Sequence, residues 1–312
     1  MVCLLNGSLN VYAQRIDHTA SFRNIHEKKY FRFHYDNDFF TKSDRYYSQG
    51  ITLEYVHPRL SHFPLSKLLL KSRNSNAQYK FTFNLFGFTP STIKSDTILF
   101  GDRPYFAAIS IGSHLISIDT IKRKQVGTSL YIGIFGPAGL GKEIQANIHR
   151  WLGNPQPHGW QYQVSNDLII NYEFLIEKQL ASSTGHFALN GIMELQAGTL
   201  NNKLATGVNF MAGNFTDPYQ RKITKAVEYY FFSQAKGSLV GYDASLQGGI
   251  FNRKSPYTIS SNNLNRFTYQ ADAGIVVNFK KVFLSYTQSF LTKEFQTGKY
   301  HRWGGVSAGC TF

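Results

Sequence analysis

The chain has 312 residues, a formal net charge of +14, 15% aromatic residues and only 17% charged residues. It contains no run of about 18 or more apolar residues, which excludes a helical membrane protein. The positive charge favours a polyanionic partner, but the basic residues are scattered and form no zinc-finger, helix-turn-helix or ribonucleoprotein motif. We therefore expect an anionic lipid surface as the partner and no nucleic acid.

Residues 1–14 resemble the end of a secretory signal peptide. Apolar residues from Leu4 to Val11 lead into a small-residue cleavage pattern at Ala13, although no Lys or Arg precedes them. We expect export and a single domain over residues 15–312. Removal of residues 1–14 would leave Cys310 as the single thiol, which excludes a disulfide within the chain.

From Lys28 onward apolar and polar residues alternate, for example over residues 31–35. A period of two residues is typical of strands with one apolar and one polar face. Many of these segments span about 9 to 12 residues, longer than the usual soluble strand and long enough for a tilted crossing of a bilayer. About twelve such segments occur, near residues 28–36, 47–57, 78–87, 105–117, 126–135, 167–178, 186–198, 205–213, 228–244, 266–278, 281–291 and 301–312.

A soluble β-sandwich would alternate in the same way, so alternation alone does not say which face is outside. Three features favour the membrane. Aromatic residues lie near segment ends, among them Tyr30, Tyr105, Trp160 and Trp303, as in interfacial girdles. An even strand count closes a barrel without an exposed edge, and the last segment ends at the aromatic Phe312, which resembles the insertion signal of outer-membrane barrels. We predict an all-β, transmembrane, antiparallel up-and-down β-barrel of about 12 strands in a Gram-negative outer membrane.

With both termini of the chain in the periplasm, the links after odd-numbered strands lie outside the cell. These links are residues 37–46, 88–104, 136–166, 199–204, 245–265 and 292–300. Among the inside links, residues 58–77 form a long one that contains the apolar run Leu65 to Leu70, for which we expect a short helix.

The third outside link contains a helix-like segment from Lys142 to Leu152 that carries Gln145 and His149. On a helix these two residues lie at i and i+4 on one face, and an imidazole beside an amide is a candidate general base. A polar helical face at the surface is an equally good interpretation of this stretch alone.

The first outside link begins Asp36-Asn37-Asp38, so that carboxylate and amide oxygens crowd the end of a strand. Such hard oxygen ligands suit calcium, and they would equally suit another hard cation. Acidic loops are more often simply solvated. In the barrel topology this link meets the second link, which ends in residues 101–105, and the third link at one rim, and this convergence argues for a site.

The stretches that meet at this rim resemble the successive signatures of the lipid A deacylase (LpxR) family. The resemblance covers residues 28–175 in order, and residues 290–312 also resemble the family. It implies a twelve-stranded outer-membrane barrel that removes the 3′-linked acyloxyacyl chain from lipid A of lipopolysaccharide, using calcium and a histidine-activated water; we expect a monomer. The matching stretches are Asn37-Asp38, Ser43 to Gly50, Gly87 to Pro90, Asp102 to Tyr105, Gly136-Pro137, Gln145, Asn147, His149 and Gly159 to Gln163.

Position by position, the resemblance makes His149 the general base and places Asn37 and Asp38 near the metal. Ser48 stands where the family has Thr or Ser, and Gln145 matches the helix glutamine of the family.

This chain also departs from the family pattern. Some members have an acidic residue about six positions after the histidine, where this chain has Asn154 and Pro155. A Lys-Arg pair thought to meet lipid A phosphates has no clear counterpart in the second outside link. Arg45, Arg103 and Lys142 are therefore substrate-phosphate candidates by charge alone.

Two other functions remain open from the sequence. A non-enzymatic outer-membrane pore or binding barrel would conduct ions or bind ligands without hydrolysing esters. An outer-membrane phospholipase would need a serine nucleophile, for which Ser48 is the motif serine at hand. In that case Ser48→Ala would abolish activity and an acyl-enzyme could be trapped.

Overall fold

The structure is a computed structural model that describes residues 28–41, 45–73, 75–183, 185–220, 225–279 and 281–312. The predicted signal segment, residues 1–14, lies outside these ranges. In the described part of the chain, no helix combines the length and apolar character needed to span a membrane.

Twelve antiparallel strands form a closed barrel in which each strand pairs with its neighbours in sequence and β1 pairs with β12. The predicted all-β, twelve-stranded, up-and-down barrel is therefore confirmed. The strands are β1 (Tyr30–Asn37), β2 (Tyr46–Val56), β3 (Asn76–Thr89), β4 (Phe106–Asp119), β5 (Lys124–Phe135), β6 (Asp167–Ser183), β7 (Phe187–Gly198), β8 (Asn201–Asn214), β9 (Val227–Asp243), β10 (Phe267–Phe279), β11 (Val282–Leu291) and β12 (His301–Thr311).

The lumen of the barrel is polar and its outer face is apolar. On β1, Phe31 and Phe33 are exposed whereas Arg32 and His34 are fully buried. Since strand side chains alternate between faces, the charged residues point inward and the aromatic ones outward. A soluble β-sandwich has the opposite arrangement, so this pattern identifies a membrane barrel.

Ion pairs neutralise the charges inside the lumen. Glu54 accepts hydrogen bonds from Arg32 at 2.9 Å and from the Tyr30 hydroxyl at 2.7 Å. Further round the barrel, Glu194 pairs with Lys203 at 3.2 Å and with Lys236 at 3.0 Å. Buried charges are tolerated when they are paired in this way, and the paired side chains lie within the lumen.

The two ends of the barrel differ. One end, which we call the terminal end, carries the start of β1 and the end of β12. The other, which we call the loop end, carries the longer links and two helices, α1 (Gly141–Leu152) and α2 (Ala244–Gln247). At the loop end the buried Arg103 pairs with Glu294 and donates to the Ser245 hydroxyl at 2.6 Å. These contacts tie three links together across the mouth of the barrel.

Two predicted links have different forms in the structure. The link expected at residues 199–204 is shorter, because β8 already begins at Asn201. The Asn171 side-chain oxygen accepts from the backbone N–H groups of Leu200 and Asn201 and so stabilises a tight turn.

The link expected at residues 58–77 ends where β3 begins, and it forms two 3₁₀ turns, Pro58–His62 and Pro64–Leu68. We call residues 57–73 the wall segment. Proline begins each turn, and the second proline disfavours helical backbone at the residue before it. The expected single helix is therefore split into two short turns.

Candidate functional site

Helix α1 docks on the outer face of the barrel at the loop end. It follows β5 through the turn Pro137–Gly139 and ends at Gly153, which is in the left-handed region with φ 70°. The helix predicted over residues 142–152 is thus confirmed. A Cβ added at Gly141 would collide with the Trp160 ring and with Ala107 on β4, so the glycine permits close approach of the helix to the wall.

Gln145 is held in a fixed orientation on the inner side of α1. Its Oε1 accepts a hydrogen bond from Trp160 Nε1 at 2.8 Å, and its side chain is 7% exposed. Trp160 packs against Tyr105 with ring centroids 4.8 Å apart. Burial raises the pKa of the Tyr105 phenol, which stays protonated and donates to the His158 carbonyl. The amide NH₂ group of Gln145 remains available as a donor.

His149 lies one turn further along α1 and is half-buried. Its Nδ1 is 2.6 Å from the backbone carbonyl oxygen of Pro155. A carbonyl only accepts hydrogen bonds, so Nδ1 carries the proton and Nε2 of the neutral ring keeps its lone pair. Pro155 is six residues after His149, about the position where some members of the family that the sequence resembles have an acidic residue. A backbone carbonyl therefore orients the imidazole where the sequence lacks a carboxylate.

Asn37 ends β1 on its outer face and is tied to the neighbouring strand. Its Nδ2 donates to the Ser48 backbone carbonyl at 2.7 Å and to the Tyr35 hydroxyl at 3.0 Å. Its Oδ1 accepts from the backbone N–H of Phe39 at 2.7 Å. Asp38 follows, 7% exposed, at the start of the 3₁₀ turn Asp38–Thr41.

Ser48 lies at an irregularity in the pairing of β2 with β3, between Tyr47 and Gln49. Its hydroxyl is 2.8 Å from the hydroxyl of Thr89. Among the described residues, the hydroxyl of Ser48 therefore bonds to the hydroxyl of Thr89, which cannot act as a general base. A serine nucleophile requires an adjacent general base, so the geometry does not favour that role.

A recess lies between α1 and the barrel wall. Ser48 and Gln145 both line it, together with Gly87, Gly141 and Trp160. Asn37 bonds to the backbone carbonyl of Ser48 and precedes Asp38, and His149 lies one turn of α1 beyond Gln145. The structure thus brings Ser48 and Gln145 into one recess, with Asn37 and Asp38 next to Ser48 and with His149 further along the helix that carries Gln145.

The ligands available to a metal are oxygens. Asn37 and Asp38 supply an amide oxygen and a carboxylate on adjacent residues, which is the donor chemistry of a hard cation. Within the ranges that the structure describes, no group of three or more His, Cys, Asp or Glu side chains is placed to hold a metal ion. Asp44, in the same link, lies outside those ranges. The donor types fit calcium, with one carboxylate among the described residues at this position.

The three phosphate candidates occupy different surroundings. Lys142 is exposed on the first turn of α1, beside the recess. Arg45 is half-buried and stacks over the Tyr300 ring at 5.4 Å. Arg103 is 1% exposed and engaged with Glu294, so it could reach a substrate only by breaking a buried ion pair.

The sequence did not indicate two groups that orient site residues. Trp160 orients Gln145, and the Pro155 carbonyl orients His149. The motif Gly159 to Gln163 signalled that Trp160 matters, but its bond to Gln145 depends on how the link folds back. A backbone carbonyl leaves no trace in side-chain identity, so no sequence pattern indicates the Pro155 contact.

The family model for outer membrane protein LpxR matches residues 1–312. The chain belongs to the LpxR family. It is similar in structure to LpxR from Salmonella typhimurium, with a TM-score of 0.74 and 20% identity over 91% of this chain and 100% of that one. At that identity the likeness shows a shared fold.

A second solved barrel has a lower TM-score. The β domain of the Bordetella autotransporter BrkA gives a TM-score of 0.47 at 6% identity, over 92% of this chain and 100% of that one. No curated protein sequence matches the chain. Family and fold together make the chain an outer-membrane β-barrel protein.

Proposed function

We propose that this LpxR-family chain is an ester hydrolase that removes the 3′-linked acyloxyacyl chain of lipid A, with the loop end of the barrel facing the cell exterior. The observation that carries the proposal is the contact of His149 Nδ1 with the Pro155 carbonyl at 2.6 Å. It leaves Nε2 as a proton acceptor on a helix docked against the lipid-facing wall, as a general base requires.

The reaction needs a water, a base and a stabilised oxyanion. His149 Nε2 takes a proton from water as the water oxygen adds to the ester carbonyl. The tetrahedral intermediate then expels the sugar alkoxide, which receives that proton from the imidazolium, so a free acid and a sugar hydroxyl result. The Gln145 NH₂ group is placed to donate to the water or to the developing oxyanion.

Asn37 and Asp38 would hold a calcium ion. Such an ion, when bound, polarises the ester carbonyl and stabilises negative charge on its oxygen. The network of Asn37 with Ser48 and Tyr35 keeps the amide in place at the end of β1.

The surroundings of the recess suit a lipid substrate. Apolar side chains are strongly exposed on both sides of the site, with Phe39 at 80%, Trp151 at 84% and Leu152 at 56%. Exposed apolar groups on the outer wall of a membrane barrel contact acyl chains. Lys142 and the net charge of +14 favour a phosphorylated headgroup. An ester in the outer leaflet, near a phosphate, fits both features.

The two alternatives have less support. Ion-paired side chains lie in the lumen, and an apolar cluster that includes Phe88, Phe106 and Trp303 lies at the loop end, so we expect no large ion conductance. The hydroxyl of Ser48 bonds to Thr89, which gives a serine-based phospholipase no base.

The proposal is tested by mass spectrometry of lipid A from cells that produce the native chain or His149→Ala, with calcium or with a chelator. We expect loss of the 3′ acyloxyacyl mass with the native chain, and its retention in the variant and in the chelated sample. His158→Ala is the matched control, because His158 lies in the same link and pairs with the exposed Asp96 at 2.8 Å. Unchanged lipid A from a folded native barrel, or equal activity in His149→Ala, would overturn the proposal.

A further inference from the structure

The wall segment, residues 57–73, lies against the outer face of the barrel. Ser66 Oγ is 2.9 Å from Ser113 Oγ on β4. Ser113 is two residues from Ile111, whose cross-strand partner Ile132 is exposed on the outside. Side chains two residues apart share a face of a strand, so Ser113 points outward and the wall segment covers it.

The segment continues across β5 and β6. Thr128 donates to the Leu70 carbonyl at 3.3 Å. The Tyr172 hydroxyl donates to the Leu68 carbonyl and accepts from the Leu70 N–H, both at 3.3 Å. Closer to the terminal end, the Ser72 N–H donates to Ser117 Oγ at 3.3 Å. Unpaired polar groups facing hydrocarbon are costly, and the wall segment pairs them.

The other side of the segment faces outward and is apolar. Leu69 is buried against Leu115 and Leu130 of the barrel. Its neighbours Leu68 and Leu70 are each 61% exposed. Because the segment already lies on the lipid-facing wall, these two leucines point towards the acyl chains of the surrounding leaflet.

The segment is also strongly basic. Its sequence contains four Lys or Arg residues and no Asp or Glu. The four, Arg59, Lys67, Lys71 and Arg73, are all exposed, and none forms an ion pair with any residue that the structure describes. Long basic side chains beside apolar surface extend their charged ends to the headgroup level. Clustered basic residues at a membrane surface attract anionic lipid headgroups.

We propose that the wall segment binds anionic glycerophospholipids at the terminal end of the barrel, with Leu68 and Leu70 among the acyl chains and the four basic residues at the phosphates. The identity of this leaflet as the periplasmic one rests on the orientation proposed above. Phospholipid binding by the wall segment is measured without ester hydrolysis. A failure of this proposal can therefore be distinguished from a failure of the proposed deacylase activity.

The first test uses native mass spectrometry of the full purified chain in detergent micelles with phosphatidylglycerol or phosphatidylethanolamine added. We expect the native chain to retain phosphatidylglycerol in preference to phosphatidylethanolamine. Combined replacement of Arg59, Lys67, Lys71 and Arg73 by Gln is expected to weaken phosphatidylglycerol retention by about tenfold or more, since each basic residue contributes to attraction of an anionic surface.

The matched control replaces four other basic residues by Gln, all exposed near the terminal end but outside the wall segment. We expect it to retain phosphatidylglycerol within about twofold of the native chain, because charge alone would not reproduce the cluster. Equal losses in the two variants would overturn the proposal, as would preference of the native chain for phosphatidylethanolamine. The control residues are Lys28, Lys122, Lys178 and Lys281.

The second test places a fluorophore in the segment. Leu68→Trp adds one tryptophan to the three native ones, and the protein is inserted into phospholipid vesicles with or without brominated acyl chains. We expect extra quenching relative to the native chain, because residue 68 contacts acyl chains. If brominated lipids do not quench the added fluorescence, residue 68 lies in water and the proposal is contradicted. This test does not depend on whether the charge variant folds.

Discussion

Among the described residues, α1 and the wall segment both cover part of the outer wall of the barrel, and the two coverings are built differently. At the loop end, α1 approaches β4 through Gly141 and leaves a recess to which Ser48 and Gln145 contribute polar groups. At the terminal end, the wall segment packs Leu69 against the barrel and pairs the outward hydroxyls of Ser113 and Thr128.

The difference lies in what remains unpaired. In the described chain, His149 Nε2 and the Gln145 NH₂ group have no hydrogen-bond partner, although each side chain is held by a bond at its other polar atom. An oriented side chain with a free polar atom is suited to chemistry. Under the wall segment the polar atoms bond to each other, which suits attachment to the membrane.

The largest expected effect breaks the docking of α1. Gly141→Val places side-chain atoms where the Trp160 ring and Ala107 already lie, and we expect about 100-fold or greater loss of deacylation, because small displacements of a base are costly. Purified protein acting on lipid A vesicles gives the rate, and gel mobility with and without heating reports the folded barrel. Gly153→Asn is the control, since Gly153 has open space around it and a φ of 70° that Asn tolerates. Full activity of Gly141→Val would show that the recess is not the site.

A smaller loss is expected when the orientation of Gln145 is released. Trp160→Phe keeps the aromatic packing but removes the 2.8 Å bond to Gln145 Oε1, so kcat/KM is expected to fall about tenfold, the value of one hydrogen bond of about 1.4 kcal/mol. Tyr162→Phe serves as the control, because Tyr162 lies in the same 3₁₀ turn as Trp160 and its hydroxyl has no hydrogen-bond partner among the described residues. Similar rates for the two variants would show that the hydrogen bond from Trp160 to Gln145 does not contribute to catalysis.

Ser48→Ala separates the serine hydroxyl from the backbone. The Ser48 carbonyl that anchors Asn37 is kept, and only the hydroxyl contact with Thr89 is lost, so we expect about a threefold fall in rate. A fluorophosphonate probe is expected to leave the native enzyme unlabelled. Covalent labelling at Ser48, with complete loss of activity in the variant, would establish a serine nucleophile in place of the His149-activated water.

The smallest effect lies under the wall segment and is confined to stability. Ser66→Ala and Ser113→Ala each remove one partner of the 2.9 Å hydroxyl pair, and each is expected to lower the free energy of unfolding by about 1 kcal/mol. The double variant is expected to lose little more than either single one, since the two residues share one bond. Urea unfolding in lipid vesicles measures these values, and the deacylation rate is expected to stay unchanged. A fall in that rate would mean that the two coverings are coupled.

Much of the fold follows directly from the sequence. Alternation over long segments gave twelve strands with ends within a few residues of those observed, because a strand exposed to lipid on one face must repeat every two residues. Helix α1 and the i, i+4 pair of Gln145 and His149 followed from local spacing in the same way. The candidate site residues could also be named from the sequence, since the family resemblance rests on the identities of side chains.

Only the tertiary structure decided which groups meet. The bond from His149 to the Pro155 carbonyl, the bond from Trp160 to Gln145 and the path of residues 57–73 over the outer wall all depend on how links fold back on strands distant in sequence. A backbone carbonyl has the same chemistry at every residue, so the sequence does not mark the one that binds His149. A serine on the lipid-facing wall is unfavourable unless another segment covers it, and the sequence does not indicate which segment does so. Sequence periodicity records the face of each strand, whereas the partner of each face is set by long-range packing.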